Sequence, residues 1–311
     1  MFMSVKSSAT DSTASPVERA PAFIRPFLKN DRLRHLVLVA PWVTVLVLFV
    51  FIPLAAVVVW SLTTPTTFGM EYSFTTQNYA EFFTSYRLGT FFNTVLAALF
   101  QAGVAVAFGF PIAYYAGVRM RGSKYTFPLL LLFAVPFFVS PILRSMAWIG
   151  FLGDQGLINS VLLSVGIVDN PVGWFLYSHF AVHVSLPTTY VPFVVFPTWL
   201  AMARIDDATL SASADLGATP FQTIRHVVVP LAMPGIVIGA VFVFVGVLGE
   251  SATAVILGGG HVGFIATVID NSVNSLNIPL ASAISTIMLL LAATVLLLWE
   301  RVFGLKIVGE I

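Results

Sequence analysis

Long apolar runs, not alternation, dominate the chain. Near 36–62, 88–117, 127–151, 178–203, 227–257 and 279–303, apolar residues continue for twenty or more positions almost without charge. A helix needs about 20 mostly apolar residues to cross roughly 30 Å of hydrocarbon. A membrane barrel would show strands of about 10 residues alternating in polarity instead. The pattern predicts an all-α, polytopic membrane protein with six transmembrane helices. Residues 1–35 are polar and basic and read as a largely disordered N-terminal tail. Residues 36–303 form the membrane domain, and 304–311 a short C-terminal tail. Within the first tail, 22–28 suits a membrane surface. The first apolar run starts too late and runs too long for a cleavable signal peptide, whose apolar core is about 7–15 residues.

Composition sharpens this picture. Of 311 residues, 58% are hydrophobic and 9% charged, and mean hydropathy is +0.94. Soluble domains carry about 25% charge. The net charge of +1 gives no basic excess for nucleic acid. The chain has no Cys, which excludes a disulfide scaffold, a thiol nucleophile and a Cys-ligated metal site. Basic residues concentrate on one side of the expected topology. They are Lys6, Arg19, Arg25, Lys29, Arg32 and Arg34 in the tail, and Arg119, Arg121 and Lys124 after the second span. Arg204 and Arg225 follow the fourth, and Arg301 and Lys306 follow the sixth. Both termini are therefore expected in the cytoplasm. The opposite loops carry Glu71, Glu81, Asp154, Asp169 and Asp270, with Arg87 at a helix edge.

The loop at 204–235 holds the densest local signals. Asp206 or Asp207 can cap a short helix over 208–216, where acidic groups suit the positive end of its dipole. Gly217 is placed to end that helix in a left-handed conformation. Thr219-Pro220-Phe221-Gln222 has the form of a capping box with Pro at the first helical position. The following helix carries Arg225 toward the membrane, where Pro230 and Pro234 should bend it into the fifth span. Two short helices around a Gly turn make a rigid projection able to dock into a partner and transmit its movement. An ordinary connector would carry the same helix-end signals.

Ser211-Ala212-Ser213, Gly217, Val227 and Val229-Pro230 resemble the coupling-loop motif of ABC-importer permeases: Glu-Ala-Ala, three residues, Gly, nine residues, then Ile-x-Leu-Pro. The flanking Asp206, Asp215-Leu216-Gly217 and Pro234-Gly235-Ile236 fit the same family. Ser211 departs from it by replacing the usual Glu. Pro136-Phe137-Phe138-Val139-Ser140, Arg144, Ala147-Trp148, Asn159, Tyr190-Val191-Pro192-Phe193, Leu248-Gly249-Glu250 and Asn78-Tyr79 are similar to the spermidine/putrescine permease branch. The resemblance implies a type I ABC importer permease with a cytoplasmic coupling helix, in the bacterial inner membrane. It implies ABC ATPase subunits that grip Asp206, Asp207, Ser211–Ser213, Asp215, Leu216, Gly217, Pro220, Arg225 and Pro230. It also implies a second permease chain, different from this one, and a periplasmic solute-binding protein. The expected solute is a polyamine. Another small organic or amino-containing solute of the same branch is the alternative, followed by a secondary transporter.

No G-x-x-x-x-G-K-[ST] phosphate cradle occurs, and Gly258-Gly259-Gly260 lacks the following Lys. ATP and Mg are therefore expected on a separate ATPase chain, with no cofactor here and no enzymatic role. Ionisable groups at membrane depth are expensive and face cavities or partners. Arg144 shares a helix face with Ser140 and Trp148, and Glu250 a stripe with Gly246 and Thr253. With Tyr190 and Asn93 they are the candidates for lining a substrate pathway. A structural Arg144–Glu250 salt bridge is the competing reading. Asn93 and Gln101 lie on one face and suit interhelical hydrogen bonds. Pro187, Pro192 and Pro197 should break the fourth span. His179 and His183 stand at i, i+4, but no third metal ligand is evident. A secondary transporter would need an ion-coupling site, and a membrane enzyme a catalytic arrangement. Neither stands out.

Overall fold

The computed structural model describes residues 31–67 and 69–303. The segment 22–28, most of the N-terminal tail and the tail at 304–311 lie outside the described residues. Helix α1 starts at Asp31, inside the stretch read as tail. The chain divides into two compact units, 1–59 and 60–311. The first holds α1 (Asp31–Leu46), a π-helical turn (Val47–Phe51) and α2 (Ile52–Trp60) as far as Val59. Pro53 accounts for the wide turn. It has no N–H for the carbonyl four residues back, and the N–H of Ile52 instead bonds Val47 O, five back.

The second unit opens with a hairpin, β1 (Thr64–Thr66) and β2 (Gly69–Glu71), antiparallel with Thr64 opposite Glu71. Helix α3 (Gln77–Phe82) fixes it to the chain before it. Buried Asn78 donates to Ser61 O and Thr63 O at 2.9 and 2.8 Å. Tyr79 Oη lies 2.7 Å from Ser61 Oγ. Three long helices form the core: α4 (Ser85–Tyr114), α8 (His179–Ala203) and α11 (Val229–Leu248). At Gly235 and Gly239 of α11, a Cβ would collide with the backbone of α8 at Pro197 and Val194. These small residues let the two helices approach closely, as membrane helices must to gain packing energy.

Among the described residues, five helices are long and apolar enough to cross a membrane, or six if one bent pair counts as a span. That pair corrects the expected continuous third span at 127–151. Here α5 (Thr126–Ala134) runs into a 3₁₀ turn (Val135–Phe138), and α6 (Pro141–Leu152) with α7 (Leu157–Ser164) leaves at 101°. Pro136 removes a donor, and Pro141 pushes Ser140 into an extended conformation with ψ 137°. The fifth span also differs from the expected 227–257. Helix α11 ends at Leu248, and a separate helix α12 (Ala252–Gly258) follows a break at 249–251. The chain continues through α13 (Ile265–Asn274) into the last span, α14 (Ile278–Phe303).

The fourth span fails in the other direction. Despite Pro187, Pro192 and Pro197, α8 is one helix of 25 residues. Pro187 leaves the carbonyl of His183 without its usual partner, and Gln101 Nε2 on α4 donates to it at 3.0 Å. A neighbouring helix thus supplies the donor the proline lacks.

Candidate functional site

Two regions hold the residues singled out by sequence. The first is the loop between α8 and α11. Helix α9 (Asp207–Asp215) starts at Asp206, whose carboxylate accepts from Ala208 N at 3.2 Å. It ends in a Schellman-type cap: Ala218 N bonds Ser213 O at 3.1 Å and Gly217 N bonds Ala214 O at 2.9 Å. Gly217 has φ +77°, the left-handed region. Helix α10 (Pro220–Thr223) opens with the full capping box. Thr219 N donates to Gln222 Oε1 at 2.7 Å, and Gln222 N to Thr219 Oγ1 at 3.3 Å. A hydroxyl pair, Ser213 with Thr223 at 2.9 Å, ties the two helices together. Pro220 stands at the first turn of α10. Pro230 does not bend the chain sharply. A π-helical turn (Ile224–Val228) absorbs it, and the helix runs on as one span from Pro220 to Leu248.

The arrangement holds out an apolar tip. Leu216 is 88% exposed and Phe221 69% exposed. Asp206, Asp207, Ser211, Ala212, Asp215, Gly217, Pro220, Arg225 and Pro230 are also exposed, whereas Ser213 faces inward. Phe221 was not singled out by sequence, although its place beside Pro220 at the start of α10 was a usable signal.

The second region joins the two broken spans. Arg144 on α6 donates to Pro136 O at 2.6 Å, to Val139 O at 2.9 Å and to Thr189 Oγ1 on α8. Its guanidinium thus bonds two carbonyls at the break in the third span, one of which, Pro136 O, also accepts from Val139 N at 3.4 Å. Next to Thr189, Tyr190 Oη donates to Glu250 Oε2 at 3.0 Å. Glu250 Oε1 accepts from Thr253 N at 3.0 Å, which caps α12. Thr253 Oγ1 lies 3.2 Å from Ser145 Oγ, adjacent to Arg144. Neighbouring residue pairs thus close a polar circuit through α6, α8, the 249–251 break and α12.

This geometry decides against one competing reading and corrects one expectation. Arg144 and Glu250 are not an ion pair. Among the described residues the ion pairs are Glu81–Arg87 at 2.8 Å and Asp207–Arg121 at 2.5 Å. Nor does Glu250 sit in a helical stripe with Gly246 and Thr253, because it stands in a break with its carboxylate turned to α12. Gly246 instead makes room for an aromatic ring, since that of Tyr190 lies where its Cβ would be. Ser140 precedes α6, and Trp148 is half-buried with its ring 5.9 Å from that of Phe151. Asn93 is apart from this circuit. It lines a cleft of about 380 Å³ with His179, His183 and Phe264. The His179 and His183 rings stack at 6.3 Å, and Gln101 Nε2 lies 3.0 Å from His183 Nδ1. Thr189 and Ser145 carried no signal beyond lying next to a residue already singled out, and Thr253 was read only as part of a helical stripe with Glu250.

A bundle of membrane-length helices with interrupted spans and a capped loop defines a multi-pass membrane protein. More specifically, the chain belongs to the family described as "Binding-protein-dependent transport system inner membrane component", whose model matches residues 105–308. It is 30% identical over 258 residues to the "Spermidine/putrescine transport system permease protein PotB" of Haemophilus influenzae, covering 82% of this chain and 89% of that one. The Escherichia coli PotB is 30% identical over 261 residues, covering 82% and 93%. A probable molybdenum ABC transporter permease of Haloferax volcanii is 31% identical over 168 residues, 53% of this chain and 57% of that one. The fold matches a chain of a bacterial alginate ABC transporter, solved in complex with alginate pentasaccharide-bound periplasmic protein. The TM-score is 0.69 at 18% identity, covering 91% of this chain and 97% of that one. The protein is the transmembrane permease subunit of an ABC importer, a multi-pass inner-membrane protein and not an enzyme.

Proposed function

We propose that the imported solute is a polyamine such as spermidine or putrescine, delivered by a periplasmic binding protein. The observation that carries this reading is the likeness to polyamine permeases over 82% of the chain. The Glu250 carboxylate at the Tyr190 hydroxyl supports it, because a carboxylate attracts an ammonium group. The pathway is lined from Ser140, Arg144, Trp148, Tyr190, Glu250 and Asn93, and is completed by a second, different permease chain. The loop from Asp206 to Pro230 lies on the cytoplasmic side, with both termini. Leu216 and Phe221 seat in an ABC ATPase subunit, which binds ATP and Mg. ATP binding closes the ATPases, moves the loops and opens the cavity outward, and hydrolysis resets it.

The partial likeness to a molybdenum permease favours one second reading, an oxyanion solute. The reconstituted complex with its matching binding protein decides between them. Spermidine or putrescine should stimulate ATP hydrolysis and molybdate should not, and the reverse would overturn the polyamine reading. Glu250→Gln keeps a shape able to bond Tyr190 but removes the charge. It should reduce polyamine uptake more than it reduces assembly, and unchanged uptake would remove Glu250 from the pathway.

A further inference from the structure

In sequence, Arg121 is one basic residue among those that set topology. Its side chain does more. Nη1 donates to Ile205 O at 2.6 Å and to Asp207 Oδ1 at 2.5 Å. Nη2 donates to Met202 O at 2.9 Å, and Nε to Gly117 O at 3.3 Å. One planar fork thus meets the last turn of α8, the linker before Asp206, the first residue of α9 and the turn that ends α4. A lysine, with one point charge, cannot reproduce that geometry.

The surroundings favour a rigid joint. Beneath the fork, Ala113 of α4, Met202 of α8, Ile205, and Val228 and Ala232 around the start of α11 form a small buried apolar cluster. Gly117 makes the close approach possible, since a Cβ there would lie 3.0 Å from Met202 Cβ and 3.3 Å from the Trp199 ring. The loop itself is continuous in chain only with α8 and α11. Side chains provide its connection to α4, and the Arg121 fork is the polar part of that connection.

We infer that Arg121 is a positioning residue that fastens the ends of α4 and α8 to the coupling loop, so that a displacement of the loop carries both spans with it. This rests on the proposed docking of that loop to an ATPase. The test is transport per ATP hydrolysed in the reconstituted complex. Arg121→Ala should lower that ratio by about tenfold, within the range of ordinary coupling energies. Arg121→Lys keeps the charge that sets topology and should insert normally, yet lose much of the ratio. Asp207→Asn weakens one of the four Arg121 contacts and should lose least. Spin labels at the exposed positions 119 and 208 should keep one separation through the cycle in the parent, and a broadened one in Arg121→Ala. Where Arg121→Ala fails to assemble, Arg121→Lys carries the test. A parental ratio in Arg121→Lys and in any assembled Arg121→Ala would overturn the inference. Gly217→Val separates the two ideas. If it uncouples while the Arg121 variants do not, the joint is wrong and the docking loop stands. If neither uncouples, the docking loop itself is wrong.

Discussion

The loop at 204–230 and the circuit around Arg144 and Glu250 are both held by side-chain hydrogen bonds from similar residue types. They differ in how far apart in sequence their partners lie. In the loop, the capping bonds join residues two to five apart, such as Asp206 to Ala208 and Thr219 to Gln222. In the circuit, Arg144 reaches Thr189, Ser145 reaches Thr253, and Tyr190 reaches Glu250. Solvent surrounds the loop, so water can replace a lost bond. Most of the circuit, including Ser145, Tyr190, Glu250 and Thr253, is buried among helices, where water replaces a lost bond less readily. Similar chemistry should therefore refine a shape in one place and matter more for folding in the other.

The largest effect should follow from breaking the circuit at its cation. At the 101° bend, Arg144→Leu leaves Val139 O without its side-chain donor and Pro136 O with only the long 3.4 Å bond from Val139 N. Each unsatisfied backbone group in hydrocarbon costs several kcal/mol. The variant should fail to accumulate as folded protein, with Arg144→Lys partly rescuing it. Yield and thermal midpoint of the detergent-extracted complex measure this. Parental values for Arg144→Leu would show that the bend does not depend on the guanidinium, and the contrast with the loop would collapse.

The loop's effect should be smaller and of another kind. Gly217 has φ +77° with open space around its Cβ position, so substitution there strains the backbone without a clash. A β-branched residue in that conformation costs about 1–3 kcal/mol. Gly217→Val should leave yield near normal but lower transport per ATP hydrolysed by about 5- to 150-fold. Gly217→Asn should be mild, because Asn tolerates the left-handed region. An equal loss in both variants would point to bulk at the docking surface instead of backbone shape.

The contrast in range also explains what is legible in the sequence. The capping box, the Asp206 cap and the left-handed Gly217 can be read from neighbouring residues, because the forces that make them act within a turn or two. The breaks in the third and fifth spans escape such a reading, although Pro136, Pro141 and Gly249 are visible. Hydropathy counts apolar residues and is blind to a bend whose guanidinium is tied to Thr189 on another helix. Pro187 shows the opposite error. A break is expected there, but Gln101, far away in sequence, supplies the missing donor and the helix stays whole. At Pro187 the local signal is correct about which carbonyl is freed. It cannot say whether a partner arrives from another helix, or whether the chain turns to find one. The role of Arg121 is hidden for the same reason, since three of its four acceptors lie more than eighty residues away.

The smallest effect should come from the one bond in the loop that links its two helices. Ser213 Oγ and Thr223 Oγ1 are 2.9 Å apart, with Ser213 8% exposed and Thr223 half-buried. A hydrogen bond of this sort contributes about 0.5–1.5 kcal/mol net. Ser213→Ala leaves Thr223 a hydroxyl that can turn toward water, so stability should fall by no more than that range. Thr223→Val should behave alike, and the double variant should lose less than the sum of the two, since the second change removes nothing further from the shared bond. Thermal midpoints of the four proteins test this directly. If the losses add instead, the two hydroxyls are not energetically coupled, and α9 and α10 keep their relative orientation through the Gly217 cap and the Thr219 box alone. If either single change abolishes folding, the loop behaves like the buried circuit, and exposure to solvent is not what separates the two regions.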